Sequence, residues 1–208
     1  IGEAQIVAGL QKEIQADFYT AVTRDPEVYR GNPFQIEVGL AYAKPEETKA
    51  AEDMGQEEPI RVLRFANRVP LLYQPGACAI TKAVIGVNWK AYGLNQPKGA
   101  LPLGPLVVMV HMASVWVPFT SESKDAVAGY EDILAEMTLA LQECGRRLSI
   151  FLNKRRRDLE AARKRNYMEL YVPHLALGLK EILKLSDREE DKIVKDLKKM
   201  LEKTHLDV

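Results

Sequence analysis

The residues best suited to chemistry lie between positions 111 and 165. Thr120-Ser-Glu-Ser-Lys124 places three hydroxyls and one ammonium within a short loop, just after an apolar run that breaks at Pro118. A lysine meets a phosphate as a compact point charge, and neighbouring hydroxyls add donors. The same residues also fit a polar loop with a solvated lysine. Farther on, Arg146-Arg147, Lys154-Arg155-Arg156-Arg157 and Arg163-Lys164-Arg165 form a basic run. Such a run can meet DNA phosphates with salt-dependent, sequence-independent affinity. It can equally face an acidic protein surface, or water.

Other reactive side chains are isolated. His111 lies in an apolar strand pattern, far from His174 and His205, and reads as a buried or pocket-lining histidine. No His, Cys, Asp and Glu group has zinc-ligand spacing, so no metal site is expected. Cys78 and Cys144 fall in apolar helical patterns and read as core residues. Two cysteines are too few for a disulfide framework and suit a reducing cytoplasm. Neither G-x-x-x-x-G-K-[ST], G-x-G-x-x-G nor G-x-S-x-G occurs, so the motifs alone do not make a complete enzyme.

The 208 residues carry 29 bases and 29 acids, a formal charge of zero. That zero is a sum of blocks. Residues 1–60 hold 12 acids and 5 bases, whereas residues 146–165 hold 9 bases and 2 acids. Blocks of like charge mark interaction surfaces or solvated faces, so neutrality does not exclude work on nucleic acid. No apolar run is long enough to cross a membrane as a helix.

Hydrophobic spacing supplies the elements that must position these groups. Ile6, Val7, Leu10 and Ile14 predict a short amphipathic helix. Phe34, Ile36, Val38, Leu40 and Tyr42 alternate as a half-buried strand, after turn chemistry at Gly31-Asn-Pro33. Lys44–Pro59 is acidic and reads as a flexible connection. Ile60–Val69 reads as one strand ended by Pro70, residues 76–92 as a helix, residues 96–105 as a loop and Leu106–Pro118 as a covered strand. Strands with one interposed helix make an α+β sheet. Ile133, Met137, Ala140, Cys144, Leu148 and Phe151 then form the seam of a long helix over residues 131–165, roughly 50 Å at 1.5 Å per residue. That length implies a distal half that projects or meets a partner. Pro173 is expected to start or kink another helix. Ser186-Asp-Arg-Glu189 predicts a capping box opening a last helix to about Lys203.

Three stretches together carry a family resemblance. Arg64-Phe-Ala-Asn-Arg-Val-Pro-Leu-Leu-Tyr73 with Gln74, the run Val107–Lys124 and the opening Ile1-Gly2-Glu3 closely resemble the B subunit of archaeal DNA topoisomerase VI. The resemblance covers residues 1 to about 165 and is weaker beyond. It implies the transducer part of an ATPase subunit related to gyrase, with a left-handed βαβ fold shared with a ribosomal protein. A long helix leads from it to a DNA-cleaving A subunit, which holds the catalytic tyrosine. The implied organisation is a sheet domain over 1–130, a projecting lever helix over 131–172 and a C-terminal helical segment over 173–208. ATP and Mg belong to the full-length subunit, with none bound by this chain alone, which by this resemblance is a fragment. Lys124 matches a switch lysine that contacts the terminal phosphate of ATP, with Thr120, Ser121 and Ser123 in its loop. Arg146, Arg147, Lys154, Arg155, Arg156 and Arg157 would touch DNA or the A subunit. The implied partners are the A subunit, a second copy of the ATPase subunit when ATP binds, and duplex DNA, with no membrane and a cytoplasmic setting. The competing expectation from the residues is a non-enzymatic module that binds nucleic acid or docks a partner through its basic helix.

Overall fold

A computed structural model describes residues 1–43, 58–184 and 186–204. The acidic connection expected over Lys44–Pro59 lies outside these except for its last two residues, and His205 lies outside as well. The chain divides into two compact units, Ile1–Leu152 and Asn153–Val208.

The first unit is built on a mixed sheet. Helix α1 (Glu3–Glu13) precedes strands β1 (Phe18–Thr23), β2 (Glu27–Tyr29) and β3 (Asn32–Tyr42). Strands β4 (Arg61–Ala66) and β5 (Val69–Pro70), helix α2 (Ala79–Gly86) and strand β6 (Leu106–Ser114) follow, and helix α3 (Glu131–Leu183) begins in this unit. The strand order is β1-β3-β6-β4-β5, with β2 on β3. Among the described residues only β4 and β6 pair in parallel, and α2 lies between them in the chain, so β4-α2-β6 is the expected βαβ unit.

Each face of the sheet is covered for a readable reason. Phe34, Ile36, Val38 and Leu40 of β3 share one buried cluster with Val108, Val110 and Met112 of β6, with α2, and with Ile133, Met137, Ala140, Cys144 and Leu148 of α3. The helical seam is therefore wholly buried, and Phe151 continues it by stacking on Phe18 at 4.8 Å. The opposite face carries α1, whose Ile6 and Leu10 pack with Ala21 and Met109. Strand β3 is thus covered on both faces at its centre rather than half-buried. Gly39 permits this, because a Cβ there would lie 2.6 Å from Ile6 Cγ2 and 2.9 Å from Leu10 Cδ1.

Several boundaries differ from expectation, and β6 itself ends at Ser114 where Leu106–Pro118 is expected. Ile60–Val69 is not one strand: Asn67 (φ 48°) and Arg68 (φ 68°) are both left-handed and fold β5 back on β4. Two left-handed central residues make the hairpin turn whose twist suits flanking strands. Residues 76–92 are also broken, into α2 between two 3-10 turns, Pro75–Ala77 and Trp89–Tyr92. Trp89 is wholly buried and donates from Nε1 to the Val84 carbonyl, which closes that break.

The second unit contains the rest of α3 and helix α4 (Asp187–Thr204). Helix α3 continues through Pro173 instead of ending there. A proline costs a helix one bond and some crowding, yet its fixed φ is itself helical, and Val172 and Ala176 beside it are buried. Half of the capping box forms: Glu189 accepts from the Ser186 N–H at 2.8 Å. The Ser186 hydroxyl, however, turns to the same carboxylate at 2.7 Å, and the Glu189 N–H goes to the Ser186 main-chain carbonyl at 3.0 Å. Lys180 pairs with Asp187 and Glu190 across the turn, and both contacts raise its pKa.

One carboxylate in the first unit is fully buried. Glu37 on β3 accepts from the Gly2 N–H at 2.6 Å and lies 2.7 Å from His111 Nδ1 on β6. His111 Nε2 accepts the Arg68 N–H at 3.0 Å, so the ring donates to Glu37 from Nδ1. Burial pushes the Glu37 carboxyl up, but the Gly2 N–H and His111 favour its charged form and pull it below its ordinary value of 4.5. A carboxyl so held binds its proton more weakly in the folded chain than in the unfolded one. Its stabilisation is complete above the ordinary value and drains as pH falls through the lowered one. Glu37→Gln should therefore melt lower than the parent at neutral pH, with the gap narrowing below about pH 4.5. Thermal melts across pH check this; a gap constant with pH would refute the assignment.

Candidate functional site

Beyond β6 the chain makes a narrow hairpin whose base is buried and whose tip is not. Phe119 and Val127 form an isolated bridge, Thr120 N–H donates to the Ala126 carbonyl at 2.9 Å, and Ala128 N–H to that of Pro118 at 2.7 Å. Val117, Ala126 and Val127 are buried, and the Val127 carbonyl accepts the first N–H of α2, from Ala79, at 2.8 Å. The exit is fixed too. Tyr130, just before α3, stacks on Tyr29 of β2 at 4.7 Å, with the Arg30 guanidinium over both rings.

The tip carries the expected residues. Lys124 adopts a left-handed backbone (φ 57°), held by its N–H on the Ser121 carbonyl at 3.2 Å. Its side chain is exposed, and among the described residues no carboxylate pairs with it. Ser121 and Ser123 hydroxyls lie 2.8 Å apart, so one donates to the other and a single proton remains for an outside acceptor. Thr120 differs, since its hydroxyl turns inward to the Ala126 carbonyl at 3.3 Å. Ser121 and Lys124 line one concavity of about 390 Å³ with Asn67, Val115, Trp116 and Phe119. Val115 and Trp116 are exposed and Glu122 lines the same concavity, so an ammonium, a carboxylate, a hydroxyl pair and an indole share an open surface.

Asn67 is a site residue that the sequence pattern does not single out. Its turn position is hidden because Asn-Arg lacks the glycine that usually marks such a hairpin. The signal available is the Asn itself, the side chain that best tolerates a left-handed backbone.

The basic run is not uniform. In the first unit Arg146 and Arg147 both pair with Glu143, whose carboxyl they hold below its ordinary range, Arg146 the more strongly. Arg147 also donates to the Ala21 carbonyl at 2.8 Å and approaches Glu3 at 3.7 Å, so it ties α3 to β1 and α1. In the second unit Lys154, Arg156 and Arg157 are exposed, Arg155 is half-buried, and Arg156 donates to Asn153 at 3.1 Å. Arg163 and Lys164 are exposed as well, while the Arg165 side chain lies outside what is described.

Both cysteines are buried, and burial pushes the Cys144 thiol up to about 12. Among the described residues no cluster of three metal-ligating side chains occurs, and no helix is long and apolar enough to cross a membrane.

Residues 1–164 match the family of the topoisomerase VI B subunit transducer. The chain is 46% identical over 194 residues to the B subunit of type 2 DNA topoisomerase 6 from Archaeoglobus fulgidus, covering 93% of this chain and 31% of that protein. The protein of the same name from Methanococcoides burtonii is 50% identical over 165 residues (77% and 25%). That from Natronomonas pharaonis is 48% identical over 190 residues (91% and 22%). The chain therefore spans less than a third of the length of these relatives. Among solved structures, the gyrase B subunit from Myxococcus xanthus aligns at 18% identity over 68% of this chain and 38% of its own, with a TM-score of 0.42, too loose to carry an argument.

Arg147 gives a direct check on the division of the basic run. Arg147→Met should lower stability by about 1 kcal/mol, the net worth of one such hydrogen bond plus exposed pairs. Denaturant unfolding measures it, and an unchanged midpoint would return Arg147 to the surface residues available for a partner.

Proposed function

The chain belongs to the topoisomerase VI B-subunit transducer family, and from that premise we propose that it relays the state of bound ATP to a DNA-cleaving A subunit during double-strand passage. The full protein would be an ATP-dependent type II DNA topoisomerase acting in the cytoplasm, with a second copy of the ATPase subunit and duplex DNA as further partners. The observation that carries this reading is the exposed Lys124, without a carboxylate partner among the described residues, at the tip of a hairpin whose base is fastened to the core. One ammonium and one spare hydroxyl proton fit a contact to a single phosphate, not a whole nucleotide site. The remaining groups, and the Mg that accompanies ATP, belong to the longer protein.

Lys124 would act by differential affinity. A contact made only while the terminal phosphate is present favours the arrangement in which Lys124 reaches it. A charge-assisted hydrogen bond contributes about 1.5–3 kcal/mol, a factor of roughly ten to a hundred. Shifting a two-state balance from 1:99 to 99:1 takes about 5.5 kcal/mol, so the lysine biases a switch that other contacts complete. Helix α3 begins shortly after the hairpin and shares its core, so movement at the tip is felt first there. In the assembled two-subunit enzyme, Lys124→Ala should slow ATP-dependent relaxation of supercoiled DNA at least about tenfold; full-speed relaxation would eliminate the switch role.

The exposed Lys154, Arg156 and Arg157 support a second reading, direct contact with duplex DNA. Neutralising all three should reduce the salt dependence of DNA binding by about three phosphate contacts, measured by titration at several salt concentrations. An unaltered slope would assign these side chains to a protein partner or to solvent.

A further inference from the structure

We infer that Asn67 is a positioning residue for Lys124, setting where β6 ends and therefore where the lysine-bearing hairpin stands. The inference rests on the phosphate-sensing role of Lys124.

The geometry begins at the end of a parallel ladder. Main-chain pairing of β4 with β6 ends at Ala66 and Met112, and the Asn67 N–H still donates to the Met112 carbonyl at 2.9 Å. From there the Asn67 side chain takes over. Its Nδ2 donates to the Ser114 carbonyl at 2.8 Å, and its Oδ1 accepts the Ser114 N–H at 2.9 Å. The carboxamide thus imitates a peptide group and extends the ladder to the last residue of β6. Ser114 passes the constraint on. Its Oγ lies 2.9 Å from the Pro33 carbonyl and 3.0 Å from that of Trp116, and the Trp116 N–H lies 3.1 Å from Oγ. The first turn of the loop is therefore fastened on three sides before the chain reaches Val117. Asn67, Trp116 and Lys124 then line the same concavity.

The hairpin that carries Asn67 is itself anchored. The Arg68 N–H ends on His111, and His111 on the buried Glu37. The Asn67–Ser114 bonds, in contrast, are exposed to water. Exposed bonds of this kind matter little to whether the chain folds, and more to where a loop points. A glycine would satisfy the left-handed turn equally well; the two bonds to Ser114 are what asparagine adds.

This separates the variants. Asn67→Gly keeps the turn and removes both bonds. Asn67→Asp keeps the acceptor and loses the donor. In the complete two-subunit enzyme, Asn67→Gly should lower the turnover number for ATP-dependent relaxation about 3- to 10-fold, leave the KM for DNA unchanged and shift the melting temperature by only a few degrees. Asn67→Asp should fall between it and the parent. In a Lys124→Ala background, Asn67→Gly should add less than about a twofold loss, because coupled sites are not additive. An equal loss in both backgrounds would overturn the proposal, since Asn67 would then act without Lys124. So would full activity of Asn67→Gly beside an impaired Lys124→Ala, and that result would leave the lysine's role standing. An unimpaired Lys124→Ala would instead remove the role on which the proposal rests, and Asn67 with it.

Discussion

A carboxylate with no exposed surface must be met by donors, or it destabilises the fold that buries it. Glu37 is met from several directions. Gly2 supplies the lead into α1, His111 supplies β6, and through His111 the bond reaches Arg68 in the β4–β5 hairpin. Helix α1, two central strands and a hairpin are thereby held at fixed distances from one carboxyl group. Apolar packing brings these elements together but tolerates some sliding, whereas a short chain of directional bonds does not. Register across the middle of the sheet, and the placement of α1 upon it, follow from this group more than from any single apolar contact.

The candidate site inherits that order. Its hairpin leaves β6 at a point set by Asn67 and Ser114, and its base is fastened to α2 through Ala79 and Val127. It then returns to α3 beside the Tyr29–Tyr130 stack. A rigid base with an exposed tip is the arrangement in which one long, charged side chain can search space without loosening the core. The left-handed backbone of Lys124 is the turn conformation that brings its N–H onto the Ser121 carbonyl.

Much of this is legible in the sequence, and the rest is hidden for identifiable reasons. The seam from Ile133 to Leu148 and a strand at β3 appear as expected, but β3 is buried on both faces at its centre and only the Glu189 half of the capping box at Ser186 is made. Strands β1 and β2 give no warning, because Phe18–Thr23 does not alternate cleanly and Glu27–Tyr29 is too short to establish a period. The β4–β5 hairpin is concealed by an Asn-Arg turn within an apolar run, and Pro173 suggests an end to α3 that the helix does not take. At the site, Lys124 and its serines can be named from residue types alone. Asn67, Ser114 and Glu37 cannot, because their roles come from partners 47 to 74 residues away in the chain. Arg147 shows the converse: within a run of positive charge it looks like a surface residue until Ala21 and Glu3 are placed beside it.

The position of β6 has a consequence for how the chain is made. Strand β6 lies between β3 and β4, yet it follows both in sequence. A ribosome therefore finishes both neighbours before supplying the strand that separates them. During that interval β3 and β4 each present a row of unsatisfied main-chain groups beside apolar side chains, the form of edge most prone to pair with another chain. The α1 helix can already cover one face of β3, but its unpaired edge stays open until residues 106–114 emerge. Translation of this short strand is the point at which the sheet becomes self-contained.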